Sequence, residues 1–140
     1  MQTTSRPDLA SHLRLTIART ARRLRQEGGT GLSPSMTAAL ATIECHGPMT
    51  PSELAARERI QRPTATRVLA RLAETELVLR APDPADRRSS LVTVSPAGRA
   101  LLDEQRTRKD AFLSERLEAL GAQDRATLER AAALLEDLLA

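Results

Sequence analysis

The chain has no tryptophan and no tyrosine, a single phenylalanine (Phe112) and a single cysteine (Cys45) in 140 residues. One cysteine cannot close an internal disulfide, which excludes a stapled secreted scaffold and fits a reducing compartment. The lack of aromatic rings removes the stacking platforms on which proteins hold single strands and unpaired RNA bases. No apolar run reaches 18 residues, so no membrane span is expected. Arg6, Asp8 and Arg14 break up the first fifteen residues, so no signal peptide is expected either. The composition therefore predicts a cytoplasmic protein. Lysine is almost missing as well: Lys109 stands beside 20 arginines.

What is present is ordinary for one globular domain with helical arms: 41% hydrophobic and 28% charged residues. The net charge of +3 is unevenly spread. Nine arginines face six acids between Pro48 and Arg99, and the remaining twelve bases and twelve acids cancel. The whole excess lies in the middle of the chain, and it consists of guanidinium groups, whose planar fork suits phosphates and guanine edges.

Periodicity predicts a first helix over about Asp8–Gln26, with Leu9, Leu13, Thr16, Ile17, Thr20, Ala21 and Leu24 on one helical stripe. Gly28, Gly29 and Gly31 end it. Ser33-Pro34 opens a second helix that turns Met36, Leu40 and Ile43 inward and stops at His46-Gly47-Pro48. Thr50-Pro51-Ser52-Glu53 is a capping box with proline just inside the helix. A further helix starts near Gln61–Pro63 and buries Ala65, Val68, Leu69 and Leu72. The period then becomes extended. Leu77-Val78-Leu79 and Ser90–Val94 read as strands, with Ala81–Arg88 as the hairpin loop between them. Ser95-Pro96 caps a long helix carrying Leu101, Leu102, Phe112, Leu113, Leu117 and Leu120. After Gly121 a last helix bears Leu128, Ala131, Ala132, Leu134, Leu135, Leu138 and Leu139.

Helix, tight turn, helix, hairpin is the winged helix-turn-helix plan, in which the second helix enters the major groove of duplex DNA. That helix covers about 62–75 and the wing about 77–94. Its outward residues are Arg62, Thr64, Thr66, Arg67 and Arg71, and four arginines but no acid occur from Arg59 through Ala73. Solvated helix faces usually mix charge signs, whereas this one is matched to a phosphate lattice. The expected fold is mainly α with a small β-hairpin wing. Residues 1–32 and 100–140 supply N- and C-terminal dimerisation helices around a DNA-binding domain at 33–99.

The stretches Thr50-Pro-Ser-Glu-Leu-Ala-Ala56, Arg62-Pro-Thr-Ala-Thr-Arg67-Val-Leu-Ala-Arg-Leu72, Asp86-Arg87-Arg88 and Val94-Ser-Pro-Ala-Gly98-Arg99 resemble the MarR family of bacterial transcriptional regulators. The resemblance implies a homodimer that binds a palindromic operator in double-stranded DNA, represses nearby genes, and is commonly released by a small aromatic or phenolic ligand. By position it implies major-groove roles for Thr64, Thr66 and Arg67 and phosphate contacts for Arg62 and Arg71. A wing arginine, Arg88 or Arg87, reaches the minor groove, and Asp86 orients it. Two positions depart from the family pattern: Arg59 stands where glycine is common, and Gln61 replaces the usual serine cap.

Other readings are weaker. Cys45 is expected as buried filler, the alternative being a redox-sensing regulator acting through its thiol. Glu44, Cys45, His46 and His12 do not converge as metal ligands, because neighbours on a helix point about 100° apart. Neither His12 nor His46 belongs to a nucleophile motif, so no catalytic residue, cofactor or metal is expected and the chain reads as no enzyme. A helical adaptor for acidic protein partners would bind DNA weakly and without sequence preference.

Overall fold

The computed structural model describes residues 6–29 and 31–140. Six helices and one hairpin follow in the order α1 (Arg6–Gly28), α2 (Pro34–His46), α3 (Pro51–Glu58), α4 (Arg62–Glu74), β1 (Val78–Pro82), β2 (Ser90–Val94), α5 (Pro96–Glu118) and α6 (Ala122–Leu139). They form two compact units, one of Met1–Glu27 with Thr107–Ala140 and one of Gly28–Arg106. Among the described residues no helix is long and apolar enough to cross a membrane.

The core lies in the Gly28–Arg106 unit. Leu40 and Ile43 of α2, Leu54 of α3, Leu69 and Leu72 of α4 and Val92 of β2 are fully buried, together with Met49. β1 and β2 pair antiparallel from Val78↔Val94 to Pro82↔Ser90, and Met49 bridges to Val92 on the other edge of β2. Ala81 and Pro82, read from the sequence as loop, are thus part of β1. Proline fits there because β1 is an edge strand and needs no N–H for a further partner.

Both helices of the helix-turn-helix end alike. Ile60 donates its backbone N–H to Ala55 O (3.0 Å), and Arg59 donates to Ala56 O (3.4 Å). Leu77 donates to Leu72 O (2.9 Å), and Glu76 donates to Ala73 O (3.0 Å). These are two Schellman motifs, each with its left-handed residue followed by a hydrophobe, Ile60 or Leu77, packed on the core. The left-handed residues are Arg59 (φ 53°) and Glu76 (φ 59°), neither of them glycine. Ser95 then ties the end of the hairpin to the start of α5: its Oγ donates to Glu76 O (2.6 Å) and accepts from Gly98 N (3.0 Å). Arg106 of α5 donates to Glu44 of α2 at 2.8 Å, and this hydrogen bond raises the guanidinium further above its ordinary pKa. The pair is half-exposed, so it contributes little to stability.

One expectation is corrected. Cys45 is exposed. It follows Ile43 by two residues, about 200° round the helix from that buried position. The α1 stripe stays largely exposed in the chain by itself: Leu9 (54% exposed), Leu13 and Ile17 face out, and of the stripe only Ala21 and Leu24 are half-buried. Likewise α6 has no buried residue, with Leu138 73% and Leu139 89% exposed.

Candidate nucleic-acid interface

The capping box forms as its sequence dictates: Thr50 Oγ1 accepts from Glu53 N at 3.2 Å, and Glu53 accepts from Thr50 N at 3.3 Å. It fixes where α3 starts, and the Schellman turn at Arg59 fixes where it ends. Gln61 occupies the N-cap of α4 and makes no side-chain capping bond. Pro63 in the first turn and the burial of Ala65, Val68, Leu69 and Leu72 hold that helix in place instead.

With those four residues inward, Arg62, Thr66, Arg67 and Arg71 are exposed on the other side, and Thr64 is half-buried at the margin. Thr66 Oγ1 donates to Arg62 O at 3.0 Å, so its hydroxyl hydrogen is used within the helix. Arg67 Nη2 donates to Thr64 Oγ1 at 3.4 Å, a long bond that leaves the guanidinium free to move. Ser33, Met36, Thr64, Arg67, Val68 and Arg71 line a cleft between α2 and α4. Ser33 caps α2 there, accepting from Met36 N at 3.2 Å. The positive end of α2's dipole thus lies beside two guanidinium groups, strengthening the local pull on anions. The Ser-Pro cap is visible in the sequence, but its place beside Arg67 and Arg71 is not.

The wing loop is built by two aspartates. Asp83 Oδ1 accepts from Ala85 N (3.0 Å) and Asp86 Oδ1 accepts from Arg88 N (2.9 Å), each two residues on. Asp83 N to Ser89 O (3.2 Å) and Ser89 N to Asp86 O (3.1 Å) close the loop. Arg87 and Arg88 project from its tip, both exposed. Asp86 therefore holds Arg88 by its main chain. Among the described residues, none of Arg62, Arg67, Arg71, Arg87 and Arg88 takes part in an ion pair. Among the same residues no group of three or more His, Cys, Asp or Glu side chains could hold a metal ion.

The model of the MarR family matches residues 32–90, which contain α2 to α4 and the hairpin up to the start of β2. An uncharacterised HTH-type transcriptional regulator of Mycobacterium bovis is 42% identical over 128 residues, covering 91% of this chain and 90% of its own length. The HTH-type transcriptional repressor NicR of Pseudomonas putida is 38% identical over 64 residues, 46% of this chain and 40% of that one. Among solved structures, wild-type apo MarR of Escherichia coli superposes with a TM-score of 0.75 at 26% identity, covering 94% of this chain and 97% of its own.

Proposed function

This chain belongs to the MarR family of DNA-binding transcriptional regulators and is not an enzyme, and from that premise we propose that it is a homodimeric repressor that reads a palindromic operator with paired α4 helices and wings. The observation that carries this reading is the exposed set Arg62, Arg67, Arg71, Arg87 and Arg88, drawn from the central stretch that holds the whole charge excess of the chain. Arg67 serves a guanine edge, to which arginine donates two parallel hydrogen bonds. Thr66 has its hydroxyl hydrogen committed to Arg62 O, so it offers its methyl group and an oxygen lone pair, which suits a thymine methyl or an amino donor. Thr64 steadies Arg67, while Arg62 and Arg71 take phosphates. Arg88, or Arg87 beside it, enters the minor groove, where narrow A·T tracts concentrate negative potential.

Asp86 gives a test in which two effects oppose. Asp86→Ala removes a negative charge, which by electrostatics alone strengthens binding to DNA. It also frees the Arg88 N–H and loosens the loop. We expect orientation to prevail, with operator affinity falling about threefold to tenfold in a titration at fixed salt. Tighter binding by the variant would reduce Asp86 to a mere charge.

Residues 1–32 and 100–140 are the dimerisation segments in this reading. Leu9, Leu13, Leu15 and Ile17 of α1 and Leu128, Leu134, Leu138 and Leu139 of α6 are exposed, more apolar surface than an isolated chain usually leaves to water. A two-fold pairing buries it and sets the reading helices about one DNA turn, roughly 34–36 Å, apart. Release by a small aromatic or phenolic ligand completes the proposed cycle.

The deciding experiment is selection of bound duplexes from a random pool, with the mass of the free protein measured by light scattering. An inverted repeat and twice the 15.2 kDa chain mass are expected. A motif without two-fold symmetry, or a monomer at micromolar concentration, would overturn the proposal.

A further inference from the structure

We infer that Arg59, in the turn ahead of α4, is a further contact to the DNA sugar-phosphate backbone, an inference that rests on the DNA-binding reading above. The fold asks for a backbone conformation at this position and not for an arginine. Arg59 has φ 53° and ψ 45°, the left-handed region that glycine enters without a Cβ penalty. The two hydrogen bonds that close the turn, Ile60 N to Ala55 O and Arg59 N to Ala56 O, are all main chain. Glu76 (φ 59°) fills the equivalent place at the end of α4, so the same turn forms there with a side chain of opposite charge. Stability alone therefore favours glycine at 59, and the guanidinium has to be explained by what it meets outside.

The electrostatic setting says what that is. Five arginines and one acid, Glu58, lie between Arg57 and Arg71. Glu58 is half-buried and accepts a hydrogen bond from the Thr42 hydroxyl of α2, across the α2–α3 packing. The only carboxylate in the stretch is thus engaged on the neighbouring helix. Arg59 is exposed and, among the described residues, has no ion-pair partner. Arg62 lies three positions on, at most about 11 Å away along the chain, so both arginines stand at the entry to α4. An exposed cation with five donors and no protein acceptor, next to a reading helix, is complementary to phosphate oxygens.

The test uses the full chain and a mixed-sequence duplex of about 30 base pairs, with affinity followed as potassium chloride is raised. Arg59→Gly is expected to raise Tm by a few degrees yet weaken binding several-fold. It should also make the slope of log K against log salt shallower by about one for each arginine lost. Arg59→Lys should keep the wild-type slope. Glu76→Gly relieves the matching turn without removing a cation, so its Tm should rise while its slope stays at least as steep. An Arg59→Gly protein that binds with unchanged affinity and slope would overturn the inference, as would an Arg59→Lys protein that loses the slope. Failure of the wild-type protein to bind the duplex even at low salt would instead sink the DNA-binding reading beneath it.

Discussion

Gly98→Ala is expected to destabilise the protein by about 3 kcal/mol or more, at the upper end of what overpacking costs. Helix propensity alone points the other way, since alanine is better than glycine in a helix interior by about 1 kcal/mol. The structure reverses the sign. A Cβ on Gly98 would stand 2.3 Å from the backbone oxygen of Leu77 and 2.9 Å from Val94 Cγ1. A side chain could swing aside, but a main-chain carbonyl cannot, and Leu77 O already accepts from Ser95 N at 3.0 Å. Moving it breaks the Ser95 junction, at which the end of α4, the start of the hairpin and the first turn of α5 are joined by hydrogen bonds to one buried serine. A fall in Tm of about ten degrees or more follows from that cost for a domain of this size. Urea unfolding checks it through the midpoint, and a midpoint equal to or above that of the parent would show that the close approach carries no energetic weight.

Arg67→Ala is expected to lower affinity for the selected operator by about 1–3 kcal/mol per half-site, fivefold to more than a hundredfold, and to relax preference at one base pair in each half. Arg67 is exposed and its one protein contact is the long bond to Thr64, so Tm should stay within about 0.5 kcal/mol of the parent in equivalent stability. Arg71→Ala is the comparison. If Arg71 neutralises a phosphate, its removal weakens every duplex alike and flattens the salt dependence, leaving the preferred sequence intact. Competition binding against operators changed one base pair at a time separates the two behaviours. Uniform losses for both variants would place Arg67 on the backbone and move base reading to another residue of α4.

The thiol of Cys45 shows how a sound general expectation fails at one position. Cysteine is among the most often buried residues, and the expectation of burial rested on that alone. Burial on a helix is decided by angle, however, and the stripe of Met36, Ala39, Leu40 and Ile43 leaves position 45 on the far side. The α1 and α6 stripes are a different case, because the sequence already reads them as dimerisation helices. Their periodicity is real and both helices form, but their leucines remain exposed in the chain by itself.

The helices, the capping box, the hairpin and the acid-free arginine face of α4 were determined by the sequence alone, because each depends on residues within a few positions of one another. Gln61 was recognisable there as a poor cap, and the structure indeed shows no capping bond from it. Only the tertiary structure decided that Leu77's carbonyl presses on Gly98, that Thr42 takes Glu58 away from the arginines, and that Ser33 lies beside Arg67 and Arg71. It also decided that Arg59 takes the left-handed conformation itself, at a turn position where glycine is common. Local signals specify dihedral angles and faces. Which groups then meet across the core depends on how those faces pack, and contacts between residues tens of positions apart leave no pattern that a single sequence displays.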